Sequence, residues 1–97
     1  MSEAPEKIKI DKYCLVLTCG ACPEQYDVFD ESDKNVGYLR LRHGWFNAKY
    51  PDVGGEDVYG SVTIGDGEFH DSERLTQLQN AIKAIDVRIL EINRLKK

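Results

Sequence analysis

The sequence predicts an α+β fold: an antiparallel β-meander of about five strands, followed by one C-terminal helix packed on one face of the sheet. Two observations predict it. Residues 36–50 (VGYLRLRHGWFNAKY) have the pattern of a β-hairpin, and residues 72–94 carry apolar side chains at helical spacing. The remaining predicted strands are separated by short polar turns, which favours pairing between strands that are neighbours in the chain.

The hairpin is centred on a two-residue turn at His43-Gly44. This turn fixes the register of the two strands. The predicted cross-strand pairs are Arg42–Trp45, Leu41–Phe46, Arg40–Asn47, Leu39–Ala48, Tyr38–Lys49 and Gly37–Tyr50. One face of the hairpin is therefore apolar, and the other is aromatic and cationic, as a half-buried antiparallel hairpin requires.

Three further segments are predicted strands. Residues 8–19 are apolar and β-rich, residues 24–30 (EQYDVFD) follow Pro23, and residues 56–64 form the last strand. In this last strand we expect Val58, Gly60, Val62 and Ile64 to face inward, and Tyr59, Ser61 and Thr63 to face outward. Residues 1–7 are polar, so we expect a flexible tail before a single domain of residues 8–97.

The predicted helix runs from Ser72 to Arg94, with Asp71 or Ser72 as its capping residue. Its apolar stripe is Leu75, Leu78, Ile82, Ile85, Ile89 and Ile92. We expect this stripe to pack on the sheet rather than on a second chain, because the sheet needs an apolar partner. Val87 and Leu90 lie off the stripe and leave room for a second contact.

Composition excludes several classes of protein. Ninety-seven residues with a net charge of -4 suit one domain that is neither a general nucleic-acid binder nor an anionic-membrane binder. No apolar run approaches the roughly 20 residues that span a bilayer, and the N-terminus lacks a secretory signal. The three cysteines, an odd number, suit a reducing compartment. We therefore expect a cytoplasmic protein.

The outward face of the hairpin is the main candidate binding site. It carries Tyr38, Arg40, Arg42, Trp45 and Asn47. Guanidinium groups bind phosphate through paired hydrogen bonds, and aromatic rings stack on nucleobases. The alternative is a structural role, in which Arg42 stacks on Trp45 and Arg40 pairs with an acid such as Asp27.

Other patterns point to chemistry less strongly. Cys19-Gly-Ala-Cys22 has the spacing of half a zinc site, but no second such pair exists. The loops Gly54-Gly55 and Gly65-Asp66-Gly67 match no phosphate-binding fingerprint and are interpreted as turns. No nucleophile–base motif is present, so we expect a non-enzyme without a cofactor or metal.

An acidic stretch spans the last strand and the start of the helix. Its members are Asp52, Glu56, Asp57, Asp66, Glu68, Asp71 and Glu73, and no lysine or arginine interrupts them. Such a stretch suits a basic partner protein, although a solvated acidic rim is the more ordinary interpretation.

Several segments carry a resemblance to a known family. They are CPEQYDVF (22–29), GYLRLRHG (37–44), GGE with VY (54–59), GDG with Phe69 (65–69), and Glu73-Arg74 at the helix start. Together they resemble small proteins of phages, prophages and bacterial mobile elements. No activity is attached to that family, so no catalytic residue carries over, and the extra cysteine of CGAC departs from its pattern. The resemblance implies a protein that counters bacterial defence.

The leading hypothesis is a non-enzymatic binding protein that sequesters a nucleotide-derived immune signal, shared between the protomers of a homo-oligomer. Its assigned ligand-binding residues are Arg40, Arg42, Trp45, Tyr38, Glu24, Gln25 and Tyr26. The arginines would hold phosphates, Trp45 and Tyr26 would stack, and Glu24 and Gln25 would bind polar edges of the ligand.

Two other classes remain open. An acidic inhibitor would dock its negative surface on a basic host defence protein. A small hydrolase of the same signal would need His43 or His70 beside an acid.

Overall fold

The computed structural model describes residues 6–19 and 24–95. Their elements are β1 (Lys7–Ile10), β2 (Tyr13–Cys19), β3 (Glu24–Phe29), β4 (Asn35–Arg42), β5 (Trp45–Tyr50), β6 (Glu56–Val62) and α1 (Asp71–Leu95). The strands form one antiparallel sheet in chain order. This confirms the predicted meander with one C-terminal helix.

The described sheet has six strands because the predicted strand of residues 8–19 is two. β1 and β2 are joined by a turn at Asp11-Lys12, where Asp11 has a φ of 55°. Aspartate tolerates this left-handed conformation better than most residues, so it suits a tight turn. Lys7 belongs to β1, and residues 1–5 of the predicted tail lie outside the described residues.

The central hairpin is confirmed. His43 and Gly44 have φ values of 55° and 72°, the pair of positive values that a tight two-residue turn between twisted strands needs. The register runs from Tyr38–Lys49 to Arg42–Trp45, as predicted. The hairpin therefore separates an apolar face from a polar and cationic one.

The predicted orientation of β6 is wrong beyond Val58, which packs partly against the core as predicted. Val62 and Ile64 are 76% and 71% exposed. Tyr59 instead packs into the core, where its ring meets Phe46 edge-on with the centroids 5.9 Å apart. Ser61 also faces α1, because its hydroxyl accepts a hydrogen bond from Gln77 Nε2 at 3.1 Å.

A β-bulge explains the reversal. Lys49 pairs with Asp57, whereas the preceding Ala48 pairs with Tyr59. Val58 is thus an extra residue in β6, and the in–out alternation changes phase beyond it. A simple two-residue period, read along the sequence, cannot predict such an insertion.

α1 covers the inner face of the sheet. Its fully buried residues are Leu78, Ala81, Ile82 and Ile85, and Ile89 packs partly against the same core. Leu75, which belongs to the predicted stripe, is 56% exposed. The predicted packing is therefore confirmed in the middle of the stripe and weaker at its N-terminal end.

The sheet curves around α1. The Tyr13 hydroxyl of β2 donates a hydrogen bond to Asp86 at 2.6 Å, while Arg88 forms an ion pair with Glu56 of β6. Neighbouring helical residues thus reach two strands that are far apart in the sheet. No described element covers the opposite, outer face, so its side chains can be reached from the solvent.

Glu73 fixes the start of α1. Its carboxylate accepts the backbone N–H groups of Ile64, Gly65 and His70 at 2.9, 2.9 and 3.0 Å. The last of these bonds corresponds to one half of a capping box. Burial raises the pKa of Glu73, but the three hydrogen bonds outweigh it and hold this pKa below its usual range.

The packing of α1 is tested by Ile85→Ala. Removing this fully buried side chain should lower the free energy of unfolding by about 2–5 kcal/mol, measured by urea denaturation. The control is Leu90→Ala on the same helix, where the side chain is 52% exposed and the change should stay within about 0.5 kcal/mol. Equal losses in the two variants would contradict this orientation of the helix.

The hydrogen bonds of Glu73 predict a dependence of stability on pH. Because its pKa is lower in the folded state, Glu73 stabilises the fold fully above the unfolded value of about 4.3. This contribution is lost as the pH falls through the folded pKa. Glu73→Gln should therefore flatten the fall in stability below pH ~4.3, relative to Glu31→Gln in the exposed β3–β4 turn. If the free energy of unfolding, measured in urea, depended on pH identically in the two variants, the assignment would be refuted.

Candidate functional site

The outer face is the face of the sheet that α1 does not cover. Three cross-strand rows define its centre: Gln25–Arg40–Asn47–Gly60, Asp27–Tyr38–Lys49–Asp57 and Arg42–Trp45–Val62. Neighbouring strands lie about 4.8 Å apart, so the members of each row are adjacent. The register therefore brings five predicted residues together: Tyr38, Arg40, Arg42, Trp45 and Gln25.

The outer face is positively charged although the chain is acidic. The register places five basic residues there, namely Lys7, Lys9, Arg40, Arg42 and Lys49, against the two acids Asp27 and Asp57. The chain as a whole has a net charge of -4. Charge is thus segregated, and the uncovered face favours an anionic ligand.

Arg40 and Arg42 are the two guanidinium cations of this face. They stand two residues apart on β4, so their Cα atoms are separated by about 6.8 Å. No salt bridge between described residues involves either guanidinium. Each can therefore offer its paired donors to a phosphate or carboxylate group.

Trp45 lies across the neighbouring strand. Its side chain is 50% exposed, and a Cβ added to Gly60 would lie 2.5 Å from the indole Cζ2 atom. The ring thus leans over β6, away from Arg42 on the opposite side of β5. Among the described residues, the cation–π contact is instead that of Lys12 over Tyr13, at 5.8 Å. The exposed indole remains a stacking surface.

Gln25 and Tyr38 complete this side of the site. The Tyr38 hydroxyl donates a hydrogen bond to the Gln25 carbonyl oxygen. Gln25 lies directly across from Arg40. This pair therefore sets a polar border beside the arginines.

Glu24 and Tyr26 lie on the other face of the sheet. Both are fully buried beneath α1, where the Tyr26 hydroxyl donates a hydrogen bond to the Glu24 carboxylate. Burial, together with this bond, raises the pKa of Tyr26. Successive strand residues point to opposite faces, so of the three neighbours assigned to the ligand only Gln25 can reach the outer face.

The buried carboxylate is held by an ion pair. Arg74 Nε lies 3.1 Å from Glu24 Oε2, and the Phe69 N–H donates to Glu24 Oε1 at 2.9 Å. Glu68, which is partly exposed, lies 3.9 Å from the same guanidinium. Glu24 thus joins β3 to the start of α1.

Asp57 is a site residue that the sequence pattern assigned only to the acidic stretch. Its Oδ1 atom accepts hydrogen bonds from Lys49 Nζ at 2.9 Å and from Asn47 Nδ2 at 2.7 Å. These two bonds, led by that from Lys49, hold the pKa of Asp57 below its usual range. Asp57 pairs with the outward-facing Lys49, ahead of the bulge at Val58, and this pairing places the acid on the outer face. The sequence contains one local signal nearby: Gly60, a glycine within a predicted strand, often marks a place where another group packs closely on the backbone.

The acidic stretch does not form one open surface. Glu56 pairs with Arg88, Asp57 with Lys49, Glu68 and Asp71 with Arg74, Asp52 with a loop N–H, and Glu73 with backbone N–H groups. Six of its seven members therefore have partners within the described residues. Docking on a basic protein would require many of these contacts to be shared.

Two further sequence predictions concern the cysteine pair and the histidines. Cys22 lies outside the described residues, and Cys19 ends β2. His43 occupies the β4–β5 turn, while His70 precedes α1 and lies 3.2 Å from the Ser72 hydroxyl. No three histidine, cysteine or acidic side chains of the described chain are arranged to hold a metal ion.

A groove also lies on the helix side of β6. It has a volume of about 580 Å³ between β6 and α1, with Val58, Ala84 and Val87 among its lining residues. The Glu56–Arg88 ion pair contributes its charged rim. The sequence did not predict this groove, because it depends on how α1 lies along an edge strand.

Comparisons with protein-family models, curated proteins and solved structures find no match to this chain. The family resemblance therefore stays a prediction. Within residues 6–19 and 24–95, no helix combines the length and apolar character needed to cross a membrane. The geometry of the outer face is consequently the basis for assigning a function.

The role of Glu24 is tested by Glu24→Gln. The change replaces the fully buried carboxylate by a neutral amide and weakens its hydrogen bonds with Arg74, Tyr26 and Phe69, so the free energy of unfolding in urea should fall by about 1–3 kcal/mol. Glu68→Gln makes the same chemical change beside the same arginine and should alter it by less than about 1 kcal/mol. If Glu24→Gln were as stable as Glu68→Gln, Glu24 would not be the structural anchor described here.

Proposed function

We propose that this protein binds a nucleotide-derived, phosphate-bearing molecule on the outer face and sequesters it without chemical change. The observation that carries the proposal is the juxtaposition of Arg40, Arg42 and Trp45 on an uncovered face. Two guanidinium groups that form no salt bridge with the described residues, together with a half-exposed indole, combine the two contacts that nucleotides require: phosphate binding and base stacking.

The positive charge of the outer face supports this assignment. A ligand with several phosphates gains from basic residues on adjacent strands and is repelled by the acidic remainder of the chain. Tyr38, Gln25 and Asn47 border the arginines and supply hydrogen-bonding groups for sugar or base. The biological setting, counter-defence by a phage-type protein in the bacterial cytoplasm, follows from the sequence resemblance.

The openness of the outer face supports a homo-oligomer. A small ligand binds most tightly where most of its surface is buried, and a sheet that curves away from the ligand buries little. A second protomer facing the same ligand would supply the missing wall. We therefore propose that two copies of the chain share the bound molecule.

The alternative is an inhibitor that docks its acidic stretch on a basic host protein. It has less support, because most of those carboxylates already bind groups of their own chain. It would become the preferred function if nucleotides do not bind.

Ligand binding is tested by thermal unfolding with cyclic di- and trinucleotides and ADP-ribose compounds. At about 100 times Kd, a ligand should add about 2.7 kcal/mol and visibly raise the Tm. Arg40→Ala and Arg42→Ala should each reduce this shift strongly, whereas Arg94→Ala removes an exposed arginine near the end of α1 and should leave it unchanged.

Recovery of the ligand separates binding from turnover. After denaturation, the released compound should be identical to the one added when analysed by mass spectrometry. A flat thermal panel, or a shift equally large in all three arginine variants, would refute binding at this face. An altered product would refute sequestration and indicate a hydrolase.

A further inference from the structure

The outer face contains a groove beside Trp45. It has a volume of about 320 Å³ and is lined by Trp45, Asn47, Asp57, Val58, Tyr59 and Gly60. Because residue 60 has no side chain, the indole edge packs over its backbone, where a Cβ would lie 2.5 Å from the indole Cζ2 atom. The indole thus forms one wall, of the size and planarity that a nucleobase stacks on.

The polar part of the lining consists mainly of hydrogen-bond acceptors. Asn47 and Lys49 both donate to Oδ1 of Asp57, at 2.7 and 2.9 Å. Among the described contacts, none occupies Oδ2, and the side chain is 65% exposed. The Asn47 side-chain oxygen is likewise left as an acceptor, because its nitrogen is the atom that binds Asp57.

The carboxylate stays ionised near neutral pH. The hydrogen bonds from Lys49 and Asn47 lower the pKa of Asp57, and the charge of Arg40 lowers it further. An ionised carboxylate accepts hydrogen bonds and donates none. Any base in the groove must therefore present N–H donors at this position.

The same electrostatic interaction links the groove to the phosphate-binding residues. Arg40 lies close enough to Asp57 for its charge to act on the carboxylate. Asn47 of β5 is the cross-strand partner of both Arg40 and Gly60, so a single strand separates these two residues. One nucleotide can thus place its phosphate on β4 and its base over β6.

We infer that the groove between Trp45 and Asp57 holds the base of the ligand and selects guanine over adenine. Guanine presents two adjacent N–H donors, N1–H and the N2 amino group, toward an acceptor-rich wall. Adenine presents an acceptor, N1, beside its single amino donor, and this acceptor would meet the negative carboxylate. The inference rests on the proposed function and specifies the base within it.

The test compares 5′-GMP, 5′-AMP and 5′-IMP by calorimetric titration of the full chain. GMP should bind at least about tenfold more tightly than AMP, which corresponds to about 1.4 kcal/mol. IMP keeps N1–H but lacks the amino group, so its affinity should lie between the two. Amide and indole N–H shifts in NMR spectra should locate GMP at Trp45 and Gly60.

Two variants probe the groove. Asp57→Asn should erase the preference for GMP while binding through Arg40 persists, and Gly60→Ala should displace the indole and weaken all three nucleotides. The matched control is Glu56→Gln, which removes the neighbouring acid on the helix side of β6 and should keep the preference.

The outcomes separate the two levels of the proposal. Equal, Arg40-dependent binding of GMP and AMP would overturn the selection of guanine and leave the proposed function standing. Unchanged GMP preference in Asp57→Asn would also overturn it. Absence of binding by all three nucleotides, with no thermal shift from larger ones, would overturn the inference together with the function.

Discussion

The buried ion pair between Glu24 and Arg74 is the interaction on which the architecture depends. A charged carboxylate with no exposed surface is tolerable only when it is paired and hydrogen-bonded. Arg74, the Tyr26 hydroxyl and the Phe69 N–H meet that requirement, and the Glu24 N–H reaches the carbonyl of Gly67 at 2.8 Å. β3, the loop before α1 and the first turn of the helix are therefore held in one arrangement.

The Glu24–Arg74 ion pair also explains why the two faces of the sheet differ in composition. The helix is fixed on the inner face, where apolar residues and one satisfied ion pair form the core. The outer face does not contribute to this core. It can therefore carry arginines, a half-exposed tryptophan and the exposed Val62 without destabilising the fold. A patch of that composition on an uncovered surface is typical of recognition.

The sequence predicts the parts of this structure that depend on local patterns. The turn at His43-Gly44 determines the hairpin register, and the spacing of Leu78, Ile82 and Ile85 determines the buried side of α1. The outer-face arginines and Trp45 follow from that register. The bulge at Val58 cannot be predicted in this way, because inserting one residue into a strand leaves no signal in the composition.

The candidate site was less predictable for the same reason. Glu24 and Tyr26 sit beside Gln25 in the sequence, but alternation sends them to the inner face, and only the partner Arg74, 50 residues away, reveals why a glutamate belongs there. Asp57 joins the site through its bonds with Lys49 and Asn47, which depend on the pairing of β5 with β6. Contacts between residues far apart in the chain, and changes in the in–out alternation of a strand, are what local sequence patterns cannot predict.

The position of α1 after the sheet has a consequence for synthesis of the protein. Each strand pairs with its neighbour in the chain, so the meander can begin to form as it leaves the ribosome. Its apolar inner face, with Leu39, Leu41 and Phe46, has no cover until the helix emerges. The nascent chain therefore exposes this apolar face until α1 has been synthesised, and apolar surface exposed in that interval favours aggregation.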